Sequence, residues 1–550
     1  MSQGGRMMSI AEAIAFADRE CQAGNLPKAE FLYRVVLSDL HNRLGIVCGQ
    51  QRKLQDAADS LREAVRLRPD LAAPYSNLGN VLRLQGKLDD AVAQYQQALR
   101  LEPRLADAHN NLGLTLMRLG LLDEALGCFR SALAINPHYQ TAQSNLLLCL
   151  NYLPRIDPEA VFAEHVRWGK AHAAPMAPSE TDRNPDRRLR VGYVSPDFSG
   201  HVVAHFLLPI LENHDPKEVE VHCYAQVYDP DAVTTRFQSL AAVWRPITAM
   251  DDARAAEQIR ADRIDILVDL AGHTADNRLG IFARKPAPVQ ASYLGYPNTT
   301  GLPTVDYRIT DAVADPLGGE VRSTEELVRL PGPFCCYQAS VETPPVAPPP
   351  ARRSGRVTFG STNDLAKLNP DVLELWCEVL KAVPSGQLLI VRHTLSESRK
   401  EALRRHFGAR GIDDARVLFR TELPAGRSHL SVYDDIDILL DVFPWNGHVT
   451  TCQAVWMGVP VISVRGHTHA GRLSASVLSR VGLEDWIASN FEHYVEEAVR
   501  RAADLDFLAR LRSELRPRMQ ASSLCDGRSF TRNLEAAYRT MWRRWCDARA

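Results

Sequence analysis

A 34-residue period governs the first quarter of the chain. Leu44-Gly45, Leu78-Gly79 and Leu112-Gly113 recur at that spacing, as do Ala57, Ala91 and Ala125. Leu61, Tyr95 and Phe129 keep it, and so do Pro69, Pro103 and Pro137. A stacked helix pair explains the set. It needs a small residue where two helices cross, an aromatic or Leu packing into the next repeat, and a Pro just past the second helix. This is the tetratricopeptide pattern, and it predicts an α-superhelix over residues 1–150. An earlier partial repeat, Gly24, Ala29 and Tyr33, is out of register, because Tyr33 to Leu61 is 28 residues, six short of the period. Either a connection around residues 38–41 is tight, or residues are missing there. Asn77, Asn111 and Asn145 also keep the spacing, on the helix that lines the concave side. They either clasp the backbone of an extended peptide through bidentate bonds or bridge within the stack. The peptide-binding groove is the reading taken, so a protein partner or substrate is expected.

Residues 151–188 read as a helical extension and a linker, and then the character changes. Strand-like runs at 189–195, 219–225, 264–270, 289–294, 307–310 and 327–330 alternate with helical patterns such as 251–261. A Pro-rich joint, Thr343-Pro-Pro-Val-Ala-Pro-Pro-Pro350, interrupts them. The alternation restarts with strands at 357–360, 388–391, 417–419, 436–443 and 459–464 and helices at 371–383 and 396–409. Amphipathic helices at 491–518 and 528–544 close the chain. The predicted domains are therefore the repeats (1–150), the extension (151–188), a Rossmann-like lobe (189–342), the joint (343–355) and a second lobe with its terminal helices (356–550). Ligands of such sheets sit beyond the carboxyl ends of the strands.

The most telling loop is Asp441-Val-Phe-Pro-Trp-Asn-Gly-His448-Val-Thr-Thr451. A buried strand ends at Pro444, Asn446-Gly447 turns the chain, and a helix starts at His448. That helix opens with Gly, His and hydroxyls, where free backbone N–H groups and the helix dipole favour an anion. The loop is read as a seat for a diphosphate. Bulk properties exclude several classes. The net charge of −2 leaves no footprint for nucleic acid or an anionic membrane. The 11 cysteines form no CxxC pair, which fits a reducing cytosol better than disulfides or zinc. No long apolar run or cleavage signature occurs, so a cytoplasmic protein is expected. An Asp-Ile-Asp triplet, Asp435 to Asp437, has the form of a metal-binding DxD but runs into a buried strand and is read as structural.

Four motifs carry a specific resemblance: Ser195-Pro-Asp-Phe-Ser-Gly-His201, Gly295-Tyr-Pro-Asn-Thr-Thr-Gly301, Asn363-Asp-Leu-Ala-Lys-Leu-Asn-Pro370 and Trp445-Asn-Gly-His448. Following tetratricopeptide repeats in this order, they resemble the O-GlcNAc transferases, a family that includes the SPINDLY-type enzymes. The resemblance implies a GT-B fold and metal-independent, inverting transfer of N-acetylglucosamine from UDP-GlcNAc to Ser or Thr of proteins, with no cofactor. It implies that Lys367 contacts the diphosphate, that Asn446, Gly447, His448, Val449 and Thr450 form the diphosphate turn, and that Pro424, Ala425, Gly426 and His429 hold uracil. Val449 stands where relatives carry Thr. Asp364 stands where the animal enzymes have a Gln near the phosphate, and Gln453 where they have an Asp touching ribose. An Asp facing a diphosphate would repel it, so Asp364 is expected to turn away or be offset by Lys367. SPINDLY-type relatives use GDP-fucose, so protein O-fucosylation is an alternative, as is an inactive repeat scaffold. The inserted domain of animal relatives is replaced by the short joint. For the base that takes the acceptor proton, His201 is the first candidate, with sugar positioning as its competing role. Asp262 and His273 are weaker candidates.

Overall fold

The computed structural model describes residues 2–3, 6–173, 181–318, 322–340, 342–423 and 426–548. Contacts divide the chain into two compact units, Met1–Ala142 with His393–Glu401, and Gln143–Arg392 with Ala402–Ala550.

The first unit opens with a short antiparallel pair, β1 (Ser2–Gln3) and β2 (Arg6–Met7). Helices follow: α1 (Ile10–Gln22), α2 (Leu26–Gln50), α3 (Leu54–Leu67), α4 (Ala72–Leu84), α5 (Leu88–Leu101), α6 (Ala106–Arg118) and α7 (Leu122–Ile135). α1 starts at a capping box in which Ser9 and Glu12 satisfy each other's backbone N–H groups. The period has the expected physical basis. A Cβ on Gly79 would lie 2.7 Å from the Tyr95 ring, and one on Gly113 would lie 2.7 Å from the Phe129 ring. Ala57, Ala91 and Ala125 are fully buried opposite these crossings.

The register break has a different cause from either alternative above. α2 runs unbroken through residues 38–41, so the second helix of the partial repeat and the first of the next are one rod. No Pro or Gly interrupts residues 28–44, whereas every later repeat ends its second helix at a Pro. The turn is simply absent, and its length is the six-residue deficit. The asparagines are also redirected. Asn77 donates from Nδ2 to Asn42 Oδ1 at 2.9 Å, and Asn111 donates from Nδ2 to Asn80 Oδ1 at 2.9 Å. These amide N–H groups bridge successive repeats rather than facing a peptide. Asn145 is corrected outright: only 4% exposed on α8, it has no surface to offer a groove ligand.

The second unit takes in most of α8 (Gln140–Leu150) and all of α9 (Pro158–His172). Asp157 caps α9 and Pro158 occupies its first turn. Much of the linker expected before the first lobe, residues 174–180, lies outside the described residues. Seven parallel strands form the first sheet: β3 (Leu189–Ser195), β4 (Val219–Ala225), β5 (Val243–Pro246), β6 (Ile266–Asp269), β7 (Val289–Ser292), β8 (Tyr307–Asp311) and β9 (Glu326–Leu330). Their order is β5-β4-β3-β6-β7-β8-β9. Six parallel strands form the second: β10 (Thr358–Ser361), β11 (Gln387–Val391), β12 (Val417–Arg420), β13 (Ile438–Leu440), β14 (Val461–Val464) and β15 (Ile487–Ala488), in the order β12-β11-β10-β13-β14-β15. Each sheet reverses its winding once, between β3 and β6 and between β10 and β13. Ligands of doubly wound sheets bind outside the strand ends at these switch points.

Two edge strands, β5 and β15, escape the apolar-run rule: β5 is half-exposed Val-Trp-Arg-Pro, and β15 is two residues long. The helix expected over 491–518 is two, Phe491–Ala502 and Leu505–Gln520. Asp504 caps the second by accepting from Phe507 N at 2.8 Å. The last helix, Gly527–Asp547, returns to the first lobe, where Tyr538 and Tyr193 hydroxyls meet at 3.2 Å. Among the described residues no helix is long and apolar enough to cross a membrane.

α9 is welded to the first lobe through two glycines. A Cβ on Gly169 would lie 1.7 Å from Gly301 O, and Gly301 itself has φ +79°. No side chain relieves a clash with backbone, so Gly169→Ala is expected to destabilise this unit by roughly 3 kcal/mol. Urea unfolding against the parent chain measures it, and an unchanged midpoint would refute the contact.

Candidate active site

The switch point of the second lobe brings the sequence motifs together. β10 ends at Ser361, and Asp364 then starts a single 3-10 turn, Leu365–Lys367, by accepting from Ala366 N at 3.1 Å. Asn369 next caps the helix Pro370–Ala382, accepting from Asp371 N and Val372 N, and ties the loop to β13 by donating to Phe443 O at 2.5 Å. The Lys367 side chain is thereby aimed across the gap between β10 and β13. Its Nζ donates to Asn446 O at 2.7 Å and lies 4.9 Å from the Trp445 ring centroid, and Tyr152 stacks on that indole at 4.7 Å.

The turn beyond β13 is built around a buried carboxylate. Asp441 accepts from Gly447 N at 2.8 Å and from Ser463 Oγ at 2.6 Å. Gly447 is obligatory, because a Cβ there would meet Thr450 Oγ1 at 2.5 Å and Thr451 Oγ1 at 2.7 Å. Asn446 is fully buried. It donates to Val442 O at 2.7 Å, and its Oδ1 has no partner. The helix that follows is Val449–Trp456, with His448 at its N-cap and no side chain closing its first turn. Its leading N–H groups therefore lack intrahelical acceptors. Val449 and Thr450 are half-buried, and Thr450 Oγ1 reaches Asn363 Oδ1 at 3.3 Å.

The His448 ring is not a cation. It is sandwiched between Phe206 at 4.2 Å and Phe334 at 5.2 Å, and burial, with His469 and Lys367 nearby, lowers its pKa to about 3. The positive side chain of the site is Lys367. Burial lowers its pKa to about 8, against the pull of Asp441 and Asp364. Asp364 is offset by Arg392 at the end of β11, whose Nη2 meets its Oδ2 at 2.5 Å. Gln453 Nε2 lies 3.2 Å from His429 Nε2, which joins these two positions on the exposed side of the turn. Gly426 has φ +77° and is exposed; Pro424 and Ala425 lie outside the described residues.

In the first lobe, His201 follows β3 at the switch point, just before α10 (Ala204–Leu211). Its Nδ1 lies 3.3 Å from Asp197 Oδ1, and burial lowers its pKa. Burial and Asp276 raise the Asp197 carboxyl to about 7. The weaker candidates are displaced. Asp262 lies before β6, at the amino end of the sheet, holding Tyr224, Arg245 and Gln258. His273 is buried against Trp168 and Tyr296 and meets Thr300 O at 2.9 Å, a packing role. In the Asp-Ile-Asp triplet, Asp437 accepts from Thr358 N and Ala351 N below β13, and Asp435 pairs with Arg420. Among the described residues no group of three or more His, Cys, Asp or Glu is arranged to hold a metal ion. Arg392 and Tyr152 escaped the sequence reading; the four-residue spacing of Asp197 and His201 was its one legible hint of the dyad.

The sequence pattern of glycosyl transferase family 41 matches residues 164–338 and 353–534, and those of the TPR repeat and the tetratricopeptide repeat match residues 79–120 and 106–139. The chain belongs to glycosyl transferase family 41. It is similar to the probable UDP-N-acetylglucosamine–peptide N-acetylglucosaminyltransferase SPINDLY of Solanum lycopersicum, 42% identical over 406 residues, which cover 72% of this chain and 44% of that protein. The corresponding SEC protein of Arabidopsis thaliana is 33% identical over 371 residues, covering 66% and 38%. A solved mutant of the Thermobaculum terrenum O-GlcNAc transferase superposes with a TM-score of 0.89 at 34% identity, covering 94% of this chain and 99% of that one. The two sheets of the family 41 chain thus form the two lobes of a GT-B fold. The chain spans less than half the length of these curated plant relatives.

Lys367 leaves a signature in stability. The unfolded chain holds a lysine near 10.5 and the folded family 41 chain near 8, so between these values the unfolded state binds more protons. The unliganded fold therefore gains stability as pH rises through that window. Lys367→Met is expected to exceed the parent at neutral pH by on the order of 1 kcal/mol, after discounting for the half-open ammonium, and to lose the rise. Urea midpoints from about pH 7 to 10 test both.

Proposed function

We propose that the protein is an inverting, metal-independent glycosyltransferase that moves N-acetylglucosamine from UDP-N-acetylglucosamine to Ser or Thr of protein acceptors. The observation that carries this reading is the Lys367 ammonium, fixed 2.7 Å from Asn446 O at the switch point, beside the open first turn of the helix that starts at Val449. A diphosphate seated on those N–H groups meets Lys367 as its counterion. Family membership supports the reaction class, and the printed names of the plant relatives support the donor. The tetratricopeptide repeats support a protein acceptor.

In the reaction the acceptor Oγ attacks the anomeric carbon from the face opposite the diphosphate. The carbon–oxygen bond to the β-phosphate breaks, and its electron pair leaves with UDP. Lys367 and the helix start stabilise the charge that grows there, the task a divalent ion performs elsewhere. The hydroxyl proton passes to His201, neutral near pH 7 because burial lowers its pKa, with Asp197 Oδ1 3.3 Å from its Nδ1. Arg392 neutralises Asp364, so that carboxylate does not oppose the diphosphate. His429 and Gln453 are assigned to the base and ribose end, with Pro424, Ala425 and Gly426 completing that loop.

Lys367→Ala is expected to lower turnover at least about 100-fold with the fold intact, and EDTA to leave turnover unchanged. The parent rate should fall as pH rises above about 8, where free Lys367 loses its proton. Thermal-shift titration with UDP, GDP and their sugars tests the donor. Stabilisation by GDP alone would replace the reading with a fucosyl transfer, and no response to any nucleotide would replace it with a binding scaffold.

A further inference from the structure

The second unit contains a cavity of about 610 Å³ apart from the Lys367 site. It opens at the carboxyl ends of β13, β14 and β15 and is walled on the other side by β8, the loop after it and the segment joining α8 to α9. Phe443, Pro444, Leu153 and Pro154 line it, whereas their neighbours Trp445 and Tyr152, the pair next to Lys367, do not. Its volume falls within the ordinary range of small-molecule sites.

The wall is chiefly apolar, with Leu153, Phe162, Phe443 and Phe491 prominent, and its charged groups are Arg308, Arg322 and Arg465 against Asp315 and Glu492, a net positive balance. Arg308 is 6% exposed. Its Nη2 donates to Asp315 at 3.1 Å, while its Nε has no acceptor. Asp315 is engaged through both oxygens, since Oδ2 also accepts from Thr310 Oγ1 at 2.5 Å and His469 Nδ1 at 2.6 Å. Although burial pushes that carboxyl up, His469 and Arg308 hold it well below the usual carboxylate range, so it stays ionised. A buried guanidinium with an unused donor costs free energy until an acceptor oxygen arrives. Arg465, exposed at the rim, adds a positive charge with no ion pair among the described residues.

We propose that this cavity binds an amphipathic organic anion, its apolar body against the phenylalanines and a single carboxylate or phosphate head received by the Arg308 guanidinium and Arg465. Occupancy is read without nucleotide, so the two readings fail separately. Isothermal titration of the full chain with decanoate, decyl phosphate, decanol and decyltrimethylammonium tests it. Saturable one-to-one binding is expected for at least one anion, with the tighter of the two naming the head group. The alcohol and the cation should bind at least tenfold more weakly. Arg308→Met should lose binding at least tenfold. Because Asp315 also depends on Arg308, Leu153→Trp provides a second variant that fills the cavity and leaves the ion pair whole. It too should lose binding at least tenfold with an unchanged melting profile. No saturable binding of either anion, equal binding of decanol, or full affinity in Leu153→Trp would overturn the proposal.

Discussion

The second unit turns on a buried carboxylate that pulls a loop into shape beneath an ammonium. Asp441, 1% exposed, accepts the Gly447 amide and the Ser463 hydroxyl, and its own carbonyl takes the Tyr494 hydroxyl at 3.0 Å. Burying a charge is costly unless hydrogen bonds and an opposite charge offset it. Here hydrogen bonds from Ser463, Ser474 and the Gly447 and Val442 amides oppose the burial of Asp441, which in turn raises Lys367 toward its charged form. Together they fix a helix start, a cation and the end of β10 in one small volume.

Under the proposed function, that arrangement lets one lysine do what a metal does in many transferases. A compact ammonium held by a backbone carbonyl and an indole has little freedom to lose when a diphosphate arrives. The departure at Asp364 then ceases to be a puzzle. An acid beside an anion site is tolerable when Arg392 pairs with it and its other oxygen closes a 3-10 turn. The same turn aims Lys367, so the acid contributes position rather than charge.

The repeat, the two parallel sheets and the active-site loops were legible in the sequence because each is written locally. A 34-residue period, an apolar run and an Asn-Gly turn need no knowledge of distant residues. What stayed hidden depends on partners far along the chain. Arg392 lies 28 residues from Asp364 in sequence and meets it only because β11 pairs with β10. Tyr152 reaches Trp445 from the extension before the first lobe. The role of His448 changed for the same reason. A histidine at a helix start reads as an anion ligand until two phenylalanines from the other lobe strip its water. The fused rod of α2 was missed differently: the period announced a defect, and only the unbroken run of helix formers between residues 28 and 44 explained it.

The sandwich of His448 between Phe206 and Phe334 has a mechanical meaning. One ring belongs to the second lobe and two to the first, and Ser476 donates across the same seam to Asp311 at 2.5 Å. These contacts oppose a hinge opening of the two lobes. Under the proposed function, spent nucleotide would then leave along the rim, past His429 and Gln453, and the pace of each cycle would belong to small loop movements there rather than to a hinge.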